Sequence, residues 1–301
     1  MSRPAIVECA GAPRDIGLDQ GRACRALLRA RFGSLPWWER LRLHTARSDP
    51  GTLRASRDML RHFPHQAEAL EGMARGAGVP RAWLAQRLAR EPAADSASGG
   101  CEGVGADEPG KRLLARSVAG DVIVRHVRPD GGFGSLELVR PWLTSGLAGV
   151  NEEGLALLCA QVGDEPGDCA APAVLLARDC LQQFDSVGAA LEWCTGRPVG
   201  GRATLLLVDA SGELAAVEVA GPVRRVRRAD AGLLVAASPD RSAAIEKSLR
   251  ATPSVTAEDL VRALTAGSSV DECVLVDPEQ RRLGLAAAGA EPTWFPVRAP
   301  R

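Results

Sequence analysis

The residues best suited to covalent chemistry are Gly99, Gly100 and Cys101, which stand where the sequence pattern changes from helical to strand-like. The two glycines give the backbone enough freedom for the Cys101 thiol to reach the carbonyl carbon of Gly100. If the Gly100–Cys101 bond is then cut, Cys101 becomes a new N-terminal residue with both a thiol and an α-amine. An α-amine has a pKa of roughly 7.7–8.0 and can accept the thiol proton near neutral pH. We therefore predict Cys101 as a nucleophile that carries its own base, with Gly100–Cys101 as the cleavage site.

Histidine offers a weaker alternative. The chain has four histidines, of which His44, His62 and His65 lie in the helical first third and His126 stands alone on a predicted strand. A cysteine hydrolase with a histidine base would need His126 beside Cys101. The sequence contains no Gly-x-Ser-x-Gly elbow, no Gly-x-x-x-x-Gly-Lys-Ser/Thr phosphate loop and no His-Glu-x-x-His zinc motif.

Composition narrows the classes of partner. The chain has 37 basic and 37 acidic side chains, and from its net charge of zero we expect no nucleic-acid partner and no membrane partner. No run of about 18 apolar residues predicts a membrane span. The eight cysteines include no Cys-x-x-Cys pair, which favours reduced, packed thiols in a cytoplasmic protein. We expect no metal and no cofactor, and homo-oligomerisation is left open.

The hydrophobic pattern divides the chain in two. Residues 1–100 predict a helical N-terminal segment, either a propeptide or a small subunit, which ends in an exposed connector over residues 91–100. Residues 101–301 predict a core of hairpins and helix pairs that forms one structural unit with the first segment. The hairpins are predicted over 147–162, 203–219 and 273–288, and the helices over 172–183, 186–194, 242–249 and 256–264. This order predicts an α+β sandwich of antiparallel sheets covered by helices.

Local signals add smaller expectations. Thr256 and Asp259 have the spacing of a capping box, and Ser186 stands at a predicted helix start. Trp37 and Trp38 are expected to pack within the helical layer. The basic run Arg224–Arg228 is interpreted as a solvated strand face.

Several segments resemble, in order, the isopenicillin N acyltransferase family, whose members are N-terminal-nucleophile hydrolases also called acyl-coenzyme A:6-aminopenicillanic acid acyltransferases. Similarity covers nearly the whole chain. The segments concerned are Ala10–Gly17 with Gly21, Ala69–Gly78, Gly100-Cys101, Gly149–Leu155, and Leu207–Gly212 followed by Val217-Glu218. Arg178 falls where the family often has an arginine.

The resemblance implies a fold, an activity and a set of residues. The fold would be an αββα sandwich of two mostly antiparallel sheets with an extra N-terminal helical layer. The chain would cut itself and then act, as an acyltransferase or amidohydrolase, on a small-molecule amide or acyl thioester. The implied catalytic residues are Cys101, Asn151, Ser117 and Ser238, and the implied substrate-binding residues are Glu102, Arg116 and Arg178.

Three departures from the family pattern support a second hypothesis. Glu102 stands where the family usually has Thr or Ser, and an Asn-x-Asp pair is replaced by a stretch that ends in Ala119. Asp121 could take over from that aspartate only with a shift of register. A Thr-Asn-His segment, whose Asn helps to hold the oxyanion, is replaced by Ala236-Ala237-Ser238. The alternative is therefore an uncleaved, catalytically degenerate member that acts as a binding or partner protein.

Overall fold

The computed structural model describes residues 6–44, 50–96, 103–108, 111–160, 171–268 and 270–298. Within these ranges the chain forms helices and strands that confirm the predicted α+β class. The helices are α1 Pro13–Ala23, α2 Arg25–Gly33, α3 Trp37–His44, α4 Pro50–His62, α5 Pro64–Ala77, α6 Arg81–Ser96, α7 Leu175–Gln183, α8 Val187–Gly196, α9 Pro239–Arg250 and α10 Ala257–Thr265. The strands are β1 Ile6–Gly11, β2 Gly103–Glu108, β3 Lys111–Ser117, β4 Ile123–Pro129, β5 Ser135–Val139, β6 Ala148–Asn151, β7 Ala156–Ala160, β8 Arg202–Val208, β9 Leu214–Ala220, β10 Val223–Arg228, β11 Leu233–Ala236, β12 Glu272–Asp277, β13 Arg282–Ala287 and β14 Thr293–Pro296.

The described strands form two sheets that pack face to face. The larger has the order β1-β4-β5-β6-β7-β8-β9-β10, and the smaller has the order β11-β2-β3-β12-β13-β14. Every neighbouring pair is antiparallel except β1 with β4, which is parallel. Apolar side chains from both inner faces fill the space between the sheets, among them Leu114, Val150, Leu206 and Val274. Since each sheet buries one apolar face against the other, the sandwich is the stable arrangement.

Helices cover both outer faces. Leu157 and Leu205 of the larger sheet pack with Leu70 of α5 and Leu175 of α7. On the smaller sheet, Leu275 packs with helices α9 and α10. The expected αββα layering, with the N-terminal helices as additional cover, is therefore confirmed. No described helix combines the length and apolar composition needed to cross a bilayer.

The structure departs from the sequence expectations at the N-terminal segment. Residues 6–11 form β1 and join the larger sheet, where the pattern predicted helices alone. Helix α6 continues to Ser96, past the start of the predicted connector at Glu91, because Ala93 and Ala94 favour the helix despite Pro92. The connector's last residues, 97–100, lie outside the described residues.

Two surface expectations have opposite outcomes. Trp37 and Trp38 do not pack within the helical layer, since their exposed fractions are 66% and 62%. The basic run lies on the edge strand β10, where its residues are exposed or half-buried, as predicted. Two of its arginines pair with β9 or the turn before it, Arg227 with Glu218 and Arg228 with Glu213.

Helices α1 and α5 approach each other through four glycines. A methyl group on Gly17 would meet the carbonyl oxygen of Ala69, and one on Gly21 would meet that of Met73. The contact is reciprocal, because Gly72 and Gly76 face the backbone of α1 at equally close range. Larger residues would hold the helix axes at the usual 8–10 Å or more. The glycines of the Ala69–Gly78 segment therefore have a packing role.

Replacing Gly72 with Ala should strongly destabilise the protein. The added methyl group would overlap the Arg14 carbonyl oxygen, and backbone cannot move aside as a flexible side chain can. We expect a loss of about 3 kcal/mol in the free energy of unfolding, measured by urea denaturation. The matched control is Gly33→Ala in α2, where the methyl group meets open space and stability should rise by up to about 1 kcal/mol. Equal effects at the two positions would contradict this account.

The two predicted helix caps differ in the structure. The Thr256 hydroxyl accepts from the Asp259 amide, and the Asp259 carboxylate accepts from the Thr256 amide at 3.0 Å, which completes the capping box of α10. The hydroxyl also donates to that carboxylate at 2.6 Å. Ser186 precedes α8, but its side chain makes no capping bond. The Asp209 carboxylate instead accepts from the Val187 amide at 2.9 Å, so a residue distant in sequence satisfies the helix start.

Thr256→Ala should lower the free energy of unfolding by about 1 kcal/mol, whereas Ser186→Ala should change it by less than about 0.5 kcal/mol. Hydrogen bonding from Thr256 lowers the pKa of Asp259 below its ordinary 3.8. The carboxylate's contribution is therefore present above that pH and is lost as the pH falls through the lowered pKa. Denaturation curves at neutral pH and near pH 3 would measure both effects. A larger loss at Ser186 than at Thr256 would refute the assignment.

Candidate active site

The predicted nucleophile lies just before the described part of the smaller sheet. Gly100, Cys101 and Glu102 are outside the described residues, and the description resumes at Gly103, the first residue of β2. Gly103 stands opposite Arg116 of β3 on one side and Ala236 of β11 on the other. The sheet end that receives the chain from Cys101 is thus bordered by the ends of β3 and β11.

Side chains alternate between the two faces of β3, and this places two predicted site residues on opposite faces. Leu114 and Val118 face the larger sheet, so Arg116 between them shares the inner face. Ser117 lies on the opposite face with Ala115, which packs toward helices α9 and α10. Both residues are buried. Arg116 therefore lies on the face between the sheets, whereas Ser117 lies toward the covering helices.

Ser238 lies on the β11 side of this sheet end. It is exposed, follows the end of β11 and occupies the N-cap position of α9 without a side-chain capping bond. The N-terminal end of a helix carries a partial positive charge, which favours a nearby anion. Its two predecessors, Ala236 and Ala237, offer no side-chain donor.

A cavity of about 330 Å³ opens at this same end of the sandwich. Its nearest wall to β2 is Val118, which directly follows β3. Most of its other walls are small or apolar, and Asp121 and Glu272 contribute carboxylates. The remaining wall residues are Gly120, Val122, Ile123, Leu138, Cys273, Leu285 and Ala286.

Two arginines fix the loop that forms one wall of this cavity. Arg140 donates from Nη1 to the carbonyl oxygen of Ala119, and Arg31 of α2 pairs with the Asp121 carboxylate. The sequence predicts Asp121 only as a substitute in shifted register, and no motif in it points to Glu272. Glu272 lies at the cavity because β12 pairs with β3, and residues near Glu272 in sequence do not reveal that pairing.

Asn151 lies on the other face of the larger sheet. Its Nδ2 donates to the carbonyl oxygens of Leu181 at 3.0 Å and Phe184 at 2.7 Å, and its Oδ1 accepts from the amides of Glu153 and Leu155. These bonds hold the β6–β7 turn and attach it to the end of α7. All four contacts are structural, so this placement gives the predicted oxyanion role no support.

Arg178 is also on that outer side, fully buried in α7. Its Nη1 lies 3.4 Å from the carbonyl oxygen of Thr144, and burial together with the charge of Arg125 lowers its pKa to about 10. Arg125 is itself buried and pairs with Glu137 at 2.6 Å. The structure thus places Arg178 in an internal charge cluster, away from the cavity and from solvent.

His126 is not brought to the start of β2. It lies on β4, buried, with Nδ1 3.0 Å from the Glu8 carboxylate. Strand β2 packs over β8 of the larger sheet. Strands β8 and β4 are four positions apart in that sheet, so roughly 19 Å separates them. A histidine-assisted cysteine hydrolase gains no support from this arrangement. In the described ranges, no three His, Cys, Asp or Glu side chains group as metal ligands.

Comparisons with known proteins leave the family open. No protein-family model matches the sequence, and no curated protein matches it. Among solved structures, penicillin V acylase from Agrobacterium tumefaciens shares 16% identity and a TM-score of 0.47, over 65% of this chain and 86% of that chain. An N-acylethanolamine-hydrolyzing acid amidase ortholog from Caenorhabditis elegans has 11% sequence identity and a TM-score of 0.49, over 60% of this chain and 93% of that chain. A variant of conjugated bile acid hydrolase from Clostridium perfringens has 11% sequence identity and a TM-score of 0.46, over 65% of this chain and 92% of that chain. Similarity at this level identifies neither a family nor an activity.

Asn151→Ala should lower the free energy of unfolding by about 3 kcal/mol, because four backbone groups lose their partner. Asn151→Asp should also destabilise, since a carboxylate cannot donate to the two carbonyl oxygens. The control is Glu153→Ala at an exposed position of the same turn, with an expected change below about 0.5 kcal/mol. An unchanged denaturation midpoint for Asn151→Ala, combined with lost activity, would return this residue to the catalytic machinery.

Proposed function

We propose that this protein is an N-terminal-nucleophile amidohydrolase or acyltransferase that cuts itself between Gly100 and Cys101. Support comes from one observation above all: β2 begins two residues after Cys101, at a sheet end that also holds Arg116 and opens beside a cavity. Gly103 pairs with Arg116, so Arg116 stands at the end of the sheet where the described chain resumes after Cys101.

In the first step, the Cys101 thiolate attacks the Gly100 carbonyl carbon. The peptide C–N bond breaks as the Cys101 nitrogen takes up a proton, which leaves Gly100 as a thioester on sulfur. Water then hydrolyses this thioester and yields a carboxylate at Gly100 and a free thiol and α-amine at Cys101. The same residue afterwards acts on external substrates, with its α-amine as the proton acceptor.

In the second step, the Cys101 thiolate attacks the acyl carbon of a small amide or acyl thioester. The amine or thiol leaves with a proton, and the acyl group stays on sulfur until water or an acceptor amine removes it. The charge of Arg116 favours the thiolate over the thiol and stabilises the oxyanion. Ser238 and the amides at the start of α9 are the second source of stabilisation that this proposal invokes.

The cavity at this sheet end suggests the size of the acyl group. About 330 Å³ with mostly apolar lining residues suits a short acyl chain, and the carboxylate of Glu272 disfavours an anionic one. We therefore infer a small, uncharged acyl group as the part of the substrate that this cavity receives.

A second candidate function rests on Ala236. This residue lies opposite Gly103, where a side-chain donor would be useful, and alanine provides none. A chain without that donor could remain uncut and act as a binding or partner protein on the same fold. The two functions differ in whether the backbone is cut.

Intact mass spectrometry of the purified chain tests the cleavage. We expect two fragments, residues 1–100 and 101–301, whereas Cys101→Ala should remain a single chain of 31.6 kDa. Acyl anilides of increasing chain length should then be hydrolysed by the cut protein only, with preference for short chains. A wild-type chain that stays at 31.6 kDa under native conditions would refute self-cleavage and favour the binding protein.

A thiol-directed acylating probe at pH 7.5 gives an independent readout. All six described cysteines are buried, and burial raises the pKa of Cys9 to about 12 and that of Cys24 to about 11, so few of these thiols are thiolates at that pH. Cys169 is the one other cysteine outside the described residues and serves as the control. We expect stoichiometric labelling of the wild type that is lost in Cys101→Ala and kept in Cys169→Ala. Loss of labelling in the second variant alone would contradict the assignment of the nucleophile.

A further inference from the structure

Large exposed apolar side chains concentrate on two N-terminal helices. Among the described residues, seven large hydrophobic side chains are exposed, and five of them belong to α3 and α4. They are Trp37, Trp38, Leu41, Leu53 and Leu60. The other two lie on the edge strand β10. Isolated exposed apolar residues are ordinary, but a concentration in one helical layer indicates a contact surface.

Helix α3 has apolar residues on both sides, and three of them face outward. Leu43 is buried in the N-terminal core, whereas Trp37, Trp38 and Leu41 lie on the opposite side of the helix. Trp37 and Leu41 are one helical turn apart, and the rings of Trp37 and Trp38 meet edge to face at 6.1 Å. Because Leu43 faces the hydrophobic core, the tryptophans on the opposite side of the helix are exposed.

Helix α4 also exposes apolar residues on its outer side, and basic residues lie beside them. Thr52, Ala55 and Met59 are buried, so the opposite side faces solvent. That side carries Leu53 and Leu60, separated by two turns, with exposed arginines between and beside them. These arginines are Arg54, Arg57 and Arg61.

Basic side chains predominate on these two helices. Helices α3 and α4 contain five arginines and two acidic residues, Glu39 and Asp58, although the whole chain has a net charge of zero. Asp58 lies 3.6 Å from Arg57, and the two helices together keep an excess of positive charge. Both helices attach to one core, since Leu43 and Met59 share a hydrophobic cluster with Leu84 of α6.

We propose that the outer faces of α3 and α4 dock onto an anionic lipid bilayer surface. Tryptophan and leucine insert at the boundary between headgroups and acyl chains, and adjacent arginines are attracted to anionic headgroups. A second copy of this chain is a poorer occupant, because it would bring the same positive charge to the contact. A nucleic acid would neutralise the arginines but would leave the leucines exposed to water.

The experiment measures sedimentation of the full chain with vesicles of phosphatidylcholine mixed with phosphatidylglycerol. We expect binding at low salt, a strong decrease at high salt, and little binding to pure phosphatidylcholine. Trp37→Ser/Trp38→Ser should weaken partitioning about tenfold or more, and Arg54→Gln/Arg57→Gln/Arg61→Gln should weaken it to a similar degree. Brominated lipid should quench tryptophan fluorescence in the wild type and much less in the tryptophan variant.

The matched control is Val223→Ser/Val226→Ser, which removes the exposed apolar residues of β10, also among arginines. It should bind vesicles as the wild type does. Since all substituted side chains are at the surface, circular dichroism and melting temperature should remain unchanged. The proposal is overturned if anionic vesicles are not bound at any salt concentration, or if the tryptophan variant binds equally well. It is also overturned if sedimentation equilibrium shows a dimer that the tryptophan variant abolishes.

Discussion

The close approach of α1 and α5 is the constraint on which the arrangement of the N-terminal half depends. Four glycines allow the two backbones to touch, and Cβ atoms at these positions would force them apart. Helix α1 follows β1 after a single residue, so its position also fixes this edge strand of the larger sheet. Next to the glycines on α1, Gln20 donates to the carbonyl oxygens of Pro141 and Leu143 and accepts from the buried guanidinium of Arg125. A shift of α1 would therefore disturb a helix contact, a strand pairing and an internal charge together.

The two faces of the larger sheet have different physical tasks. Its outer face holds the Arg125–Glu137 pair and Arg178, and such charges are tolerated in the interior because partners compensate their lost hydration. Its inner face is mostly apolar and packs on the smaller sheet. His126 is a buried polar exception in the middle of β4, whereas Arg116, Asp121 and Glu272 lie toward the ends of the strands. This distribution leaves the end of the sandwich as the place where a reactive group could meet solvent and substrate.

Short-range signals predicted the structure well where neighbours in sequence decide it. The hairpins at Asn151–Gly154 and Asp209–Gly212, and the Thr256–Asp259 capping box, follow from turn and cap chemistry within a few residues. Long-range decisions were missed. Ile6–Gly11 becomes a strand because β4 offers it an edge, and α8 is capped by Asp209 rather than by Ser186. For the site, the register of β3 separates Arg116 from Ser117, and the turn at Asn151 uses that side chain internally. Neither outcome is visible in residue types alone.

The parallel pairing of β1 with β4 bears on the fate of the N-terminal segment after a cut at Gly100. The two strands lie on opposite sides of that bond, and six registered positions join them. Together with the Gln20–Arg125 contact and the packing of Leu70 against Leu157 and Leu175, this pairing would keep the pieces associated. The first hundred residues would then persist as a subunit of a tightly bound heterodimer rather than diffuse away as a discarded leader. Separation would require denaturant, and reassembly would need both polypeptides at once.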